Sequence, residues 1–147
     1  MSTLLALDPG KTTGASTWTY GIEQPLTLEW YGQIEDGIDG VINFLYGKSF
    51  DVIVSESFVI DGRTPNPDIT PLRIEGVLEY HCYLNEKQLR FQRNNFKKHV
   101  SDELLKHHAL YVPGMPHAND SMRHALAYMK TSRHAATLNQ YFRDIEG

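Results

Sequence analysis

Leu4 to Gly14 reads LLALDPGKTTG, an apolar run that ends in one acidic residue, Asp8, and then turns sharply through Pro9-Gly10. A continuous apolar run of this length is the pattern of a strand buried on both faces in the middle of a sheet. A carboxylate at the tip of such a strand is costly unless a cation meets it, and a metal ion is the most economical cation. Asp8 is therefore the first candidate ligand.

The rest of the chain supplies strands and helices around that run. Gly14 to Tyr20 and Leu26 to Ile34 are β-prone, and the Gly21 to Pro25 link between them reads as a hairpin loop, so three meandering strands are expected at the start. Gly37 to Tyr46 places Ile38, Val41, Ile42 and Leu45 at helical spacing before Gly47 stops it. Asp51 to Ser55 is a second buried strand, followed at once by a second carboxylate, Glu56. Asp61 to Pro71, rich in proline, predicts an irregular loop of the kind that carries function in compact domains. Leu72 to Leu84 is helical in pattern and Gln88 to Gln92 a short strand. Asn95 to His108 predicts helical turns broken near Ser101, Tyr111 to Pro116 a connector, and Ser121 to Ser132 a helix. Ala135 to Ile145 predicts a last, weaker helix. The order βββ-α-β-α-β-α-α predicts an α/β layered domain with an antiparallel meander on one side.

The chain has 147 residues, enough for one domain that buries roughly two-thirds of its unfolded surface. We therefore expect residues 1–147 to form a single domain. No apolar stretch approaches the ~20 residues of a membrane span, and the start lacks a signal-peptide pattern. Cys82 is the only cysteine, which excludes an intrachain disulfide framework and a thiolate zinc cluster. These features predict a cytoplasmic protein without a membrane partner.

The net charge of −4 conceals a polarity along the chain. Residues 1–80 carry a net −8 and residues 81–147 a net +4, with all seven histidines in the second part. Lys87, Arg90, Arg93, Lys97, Lys98 and His99 follow one another without an acid, interleaved with Phe91 and Phe96. Such a segment can meet phosphates while its rings pack or stack. It also fits solvated cationic faces over core phenylalanines, and both readings stay open at this point.

Gly10-Lys11-Thr12 invites a phosphate-binding P-loop, but that loop needs a glycine where Leu5 stands. A sugar-kinase or actin-like phosphate loop needs a duplicated and much longer domain. A metal-dependent nuclease remains. Phosphodiester hydrolysis asks for an activated water and a stabilised leaving oxygen, and two Mg²⁺ ions about 4 Å apart supply both. Hard cations want oxygen ligands, and Asp8 and Glu56 would stand side by side if their two strands paired in parallel.

With those residues in place, the chain resembles a known family. Asp8-Pro9-Gly10 followed by Thr13-Gly14 is similar to the first motif of the RuvC-like Holliday-junction resolvases, members of the RNase H-like superfamily. Val52 to Glu56 resembles their second, strand-borne carboxylate. Pro116 to Ala127, PHANDSMRHALA, resembles their C-terminal helix motif, in which acidic or histidine residues one turn apart precede an Ala-Leu-Ala-like run. The loop and the Thr70-Pro71-Leu72-Arg73 helix start are most similar to the short versions carried by bacteriophages.

The resemblance implies an α/β, RNase H-like fold: a five-stranded mixed sheet, with the β1-β2-β3 meander antiparallel and the other strands parallel, flanked by helices. It implies a Mg²⁺-dependent endonuclease that resolves four-way DNA junctions and leaves 5′-phosphate and 3′-hydroxyl ends. Mn²⁺ is a possible substitute. Asp8, Glu56, Asp120 and His124 are the implied catalytic and metal-binding set, with His124 either a ligand or the group that positions the attacking water. Here the second position of the helix motif falls on His124, four residues after Asp120, whereas many relatives carry two aspartates three apart. Lys11, Arg63, Arg93, Lys97 and Lys98 are the candidates to follow the DNA backbone, and Phe58 is the nearest counterpart of the aromatic that relatives stack on a junction base. A symmetric homodimer is implied, because resolution takes two matched nicks. A phage-encoded protein would act in the cytoplasm of its bacterial host.

Other readings attach to the same residues. Asp120 also suits the N-cap of a helix beginning at Ser121, and His124 lies roughly opposite Met122 and Met129, as an exposed histidine would. Glu75 and Glu79 share a helical face that could add a ligand or simply be solvated. A less selective nuclease for flaps, replication forks or RNA–DNA hybrids, or a catalytically silent nucleic-acid-binding module, are the alternatives in function.

Overall fold

The computed structural model of the protein describes residues 1–143. Five strands form one mixed sheet in the order β3-β2-β1-β4-β5. The strands are β1 (Ser2–Asp8), β2 (Thr13–Tyr20), β3 (Thr27–Ile34), β4 (Val52–Glu56) and β5 (Gln88–Gln92). β1, β2 and β3 pair antiparallel as the expected meander, and β4 and β5 add in parallel. The expected sheet is thus the observed one, with β1 at its centre.

The central position of β1 explains its composition. Leu4, Leu5, Ala6 and Leu7 are all fully buried, because helices cover both faces of the sheet. Leu5 and Leu7 face α1 (Gly37–Leu45) and α2 (Thr70–Asn85) in a core that includes Val41, Ile53, Ile74 and Leu78. Leu4 and Ala6 face the opposite way, into a larger core built by Trp18, Val54, Leu105, Met122 and Leu126. α3 (Asp102–His107) and α4 (Pro116–Thr131) contribute to that second layer. Ser101 caps α3, its hydroxyl accepting from the Leu104 amide at 3.1 Å, which accounts for the break expected there. No described helix is long and apolar enough to cross a membrane.

The structure departs from the sequence pattern in two places. α4 starts at Pro116, five residues before the expected Ser121, because proline suits the first helical turn and the Asn119 side chain pins the preceding connector. Asn119 accepts from the Val112 amide and donates to the Val112 carbonyl, both at 2.9 Å. The expected C-terminal helix is three α-helical residues, Ala135–Thr137, continued by a wider π turn over Leu138–Phe142; its expected end at Ile145 lies outside the described residues. Tyr141 and Thr137 bond the backbone of Leu26 at 2.6 and 3.0 Å, and so tie this segment to the start of β3.

Gly14 fixes how α4 meets the sheet. A Cβ at this position would lie 1.8 Å from the His117 carbonyl oxygen and 2.8 Å from the Ala118 nitrogen. The first turn of α4 therefore rests directly on the β2 backbone, a contact that only glycine permits.

Candidate active site

Parallel pairing of β1 with β4 sets Leu7 beside Ser55, so Asp8 and Glu56 stand one step further on at the same sheet edge. α4 crosses above that edge and brings Asp120 to it. The cluster is partly sheltered, with Asp8 only 8% exposed. Burial, followed by the charges of Glu56 and Asp120, raises the Asp8 carboxyl to about 6. Three carboxylates drawn together in this way need a cation.

Lys97 provides one. It lies on the 3₁₀ turn of Asn94–His99, and its ammonium is 3.3 Å from Glu56 Oε1 and 3.3 Å from Asp120 Oδ2. Burial pulls the lysine down, but the charges of Glu56 and Asp120 outweigh it, so its pKa is raised. Burial likewise pushes Glu56 up, but the hydrogen bond from His124 and the charge of Lys97 outweigh it and leave Glu56 lowered. Lys97, expected among the residues that follow the DNA backbone, is thus also paired with two acids of the cluster. Its basic neighbourhood had concealed these long-range partners.

Asp120 lies in the second turn of α4 and is not its N-cap, since the helix begins earlier; Met115 holds the cap position. Its other oxygen, Oδ1, accepts from Arg123 at 2.9 Å. Arg123 also bonds the Val100 carbonyl at 3.1 Å and pairs with Asp102, so Asp120 is held from both sides. His124 is fully buried, which overturns its reading as an exposed histidine. α4 is enclosed on more than its methionine face, and buried Asn119, Ser121 and His124 belong to internal hydrogen-bond networks. His124 Nε2 is 3.0 Å from Glu56 Oε1, and its Nδ1 is 3.0 Å from the amide nitrogen of Gln92.

His117 is the functional candidate that the sequence did not single out. Its Nδ1 is 3.4 Å from Asp8 Oδ2, and it precedes Asp120 by three residues on the same helix. Two side chains three apart share a helical face. The signal was present in Pro116-His117, but starting the helix at Ser121 hid it.

The expected DNA-contacting residues lie around this cluster with different degrees of proximity. Phe58 and Arg93 line a cleft of about 540 Å³ that begins at Glu56. The Phe58 amide donates to Glu75 Oε1 at 3.1 Å, so Glu75 secures the start of the long loop, while Glu79 is exposed. Lys11 and Arg73 line a separate cleft of about 560 Å³ beside the start of α2. Arg63 is exposed within the loop, where its amide donates to Asp61 at 2.9 Å, and Lys98 is exposed next to Lys97.

The donor set of Asp8, Glu56 and Asp120 is all hard oxygen, which suits Mg²⁺ or Mn²⁺. Among the described residues, no group of three or more His, Cys, Asp or Glu side chains stands arranged to hold a metal ion as it is, and the Lys97 ammonium sits on Glu56 and Asp120. Mg²⁺ takes one or two carboxylates and completes its octahedron with water and substrate phosphate oxygens, so these acids would suffice for it once Lys97 gives way. The residues fit an open site of this kind.

No protein-family model and no curated protein matches the sequence. Solved structures do. The chain is similar to Thermus thermophilus RuvC in complex with a Holliday junction substrate, with a TM-score of 0.67 and 12% identity over 91% of this chain and 97% of that one. The Fowlpox virus resolvase in complex with Holliday junction DNA gives a TM-score of 0.65 and 14% identity over 87% of this chain and 99% of that one. The yeast mitochondrial Holliday junction resolvase Ydc2 gives 0.61 and 14% over 94% and 80%. At 12–14% identity the likeness is one of fold: this five-stranded mixed sheet with its flanking helices has the RuvC-like form of the RNase H-like fold.

Proposed function

We propose that the protein is a divalent-metal-dependent endonuclease of branched DNA, and that residues 1–147 work as one nuclease domain with four-way junctions as the preferred substrate. The observation that carries this reading is the convergence of Asp8, Glu56 and Asp120 at one sheet edge, with Lys97 as their cation. The solved neighbours of the same fold that are bound to junction DNA support it.

Asp8 would be shared between two Mg²⁺ or Mn²⁺ ions, while Glu56 and Asp120 would each serve one. Such ions supply an activated water and a stabilised leaving oxygen, in keeping with 5′-phosphate and 3′-hydroxyl products. The hydrogen bond from His124 and the charge of Lys97 lower Glu56 and so favour its ionised, metal-binding form. His117, half-exposed, would orient Asp8 from its Nδ1, 3.4 Å from Asp8 Oδ2. Lys11, Arg63, Arg93 and Lys98 would position the DNA backbone, and Phe58 would offer a ring to an unstacked base.

Two matched nicks require two sites, so we propose a homodimer. α1 and α2 form a groove of about 910 Å³ on the face away from α4, edged by Ile42, Tyr46, Tyr80 and Leu84. These four side chains are 46%, 86%, 65% and 60% exposed. Together they offer roughly 500 Å² of exposed side chain, much of the ~800 Å² per partner in a standard interface. A second copy is the occupant that this face and the double nick both call for.

One experiment tests substrate and assembly together. Four-way junction, flap, and RNA–DNA hybrid substrates are digested at one salt concentration with wild-type protein and Tyr80→Glu, while the sedimentation of each protein is measured. The wild-type protein should sediment as a dimer and cut opposite arms of the junction in pairs, and Tyr80→Glu should be monomeric and lose paired cutting. Equal cleavage of all substrates would replace the junction reading with the less selective nuclease. Junction binding without metal-dependent cleavage would favour the silent module.

A further inference from the structure

We infer that His124 is a positioning residue for Glu56, held in a single tautomer by Gln92, and that it is not itself a metal ligand. This rests on the proposed metal site and assigns its first supporting layer. The chain of contacts begins in the sheet, where Glu56 on β4 and Gln92 on β5 are register partners and so present their side chains to the same face. α4 lies on that face, and His124 reaches both.

The hydrogen-bond directions follow from chemistry. The side-chain nitrogen of Gln92 is 3.0 Å from the His124 main-chain carbonyl and 3.0 Å from His124 Nδ1. A carbonyl oxygen only accepts, so the amide group must present its NH₂ here; the reverse orientation would set two oxygens against each other. The two amide hydrogens then serve the carbonyl and Nδ1, which makes Nδ1 an acceptor. The proton of the neutral ring must therefore sit on Nε2, from which it is donated to Glu56 Oε1 at 3.0 Å. Neither ring nitrogen has a lone pair left for a metal.

Gln92 and His124 are 4% and 0% exposed, so water does not compete for these bonds. His124 and Lys97 both engage Oε1 of Glu56, and among the described residues Oε2 has no protein partner. The relay thus fixes the carboxylate through one oxygen and leaves the other for an ion. Supporting groups of this kind set ligand orientation, and their loss typically costs about 10–100-fold in metal affinity.

The test uses ¹⁵N-histidine NMR of the full-length protein and calorimetric titration with Mn²⁺, both without DNA, on wild type, Gln92→Leu, His124→Leu and His124→Gln. In wild type the His124 Nδ1 should resonate as a bare nitrogen and Nε2 as a protonated one, and Gln92→Leu should abolish that fixed assignment. His124→Leu should weaken Mn²⁺ binding about 10–100-fold, and His124→Gln, which restores an N–H toward Glu56, should recover most of it. A protonated Nδ1 with a bare Nε2 would overturn the relay, as would unchanged Mn²⁺ affinity in folded His124→Leu or no recovery in His124→Gln. If His124→Leu does not fold, the wild-type tautomer and the Gln pair decide alone. A protein that shows the tautomer and the Mn²⁺ pattern but cuts no junction would refute the nuclease reading and leave the relay standing.

Discussion

Asp8→Asn should abolish cleavage and at the same time make the metal-free protein more stable. The loss follows from removing the carboxylate that both ions would share; metal stabilisation worth several kcal/mol corresponds to about 10³-fold or more in rate. The gain follows from linkage. Asp8 is raised from 3.8 to about 6 in the folded protein, so between these values the native state binds more protons than the unfolded state. Its contribution to stability is therefore lost as pH rises through that window, and about 3 kcal/mol is at stake above it. An asparagine carries no charge and escapes most of that cost. Thermal melts in the presence of chelator should show Asp8→Asn several degrees above wild type at pH 8, with the gap closing toward pH 4. A variant that melts at or below the wild-type temperature at pH 8 would contradict the electrostatic account of the cluster.

Gly14→Ala should be severely damaging for so small a change, a single methyl group. The added carbon would overlap the His117 carbonyl at 1.8 Å, and the opposing atoms are backbone at the start of a helix that cannot fold aside. Overpacking of this kind costs about 1–3 kcal/mol or more, and here α4 must lift from β2 to relieve it. His117 and Asp120 move with that helix, and a displacement of about 1 Å at a catalytic group can cost about 10²-fold in rate. We expect a melting temperature lowered by about 5 °C or more, following the scaling for a chain of this size, and cleavage reduced by at least two orders of magnitude. Near-normal stability and cleavage in Gly14→Ala would show that α4 does not need this contact.

The contrast between Asp8 and His117 shows what could be read without coordinates. Asp8 was legible because it ends a fully apolar strand, and full burial of Leu4 to Leu7 leaves an unmistakable local pattern. Glu56 was legible for the same reason, and the parallel register of β1 and β4 then required the two acids to meet. His117 was not legible, because Pro116 reads equally well as a turn and only the rest of α4 on Gly14 shows that the helix has begun. What Lys97 and Gln92 would face in the fold escaped for a related reason. Their partners Asp120 and His124 are distant in sequence, and a basic or amide residue beside a short strand carries no local sign of what it will face. Local patterns located the strands and their terminal acids; the groups that hold those acids in place emerge only when the layers are packed.

We propose that Asp8, Glu56 and Asp120 together hold two divalent ions. Anomalous diffraction from crystals of the wild-type protein grown with Mn²⁺ tests it most directly. Two peaks about 4 Å apart are expected, with Asp8 between them, Glu56 and Asp120 each contacting one, His124 contacting neither, and the Lys97 ammonium displaced from the two acids it now bridges. Carboxylates free of manganese, with Lys97 still seated between Glu56 and Asp120, would contradict it.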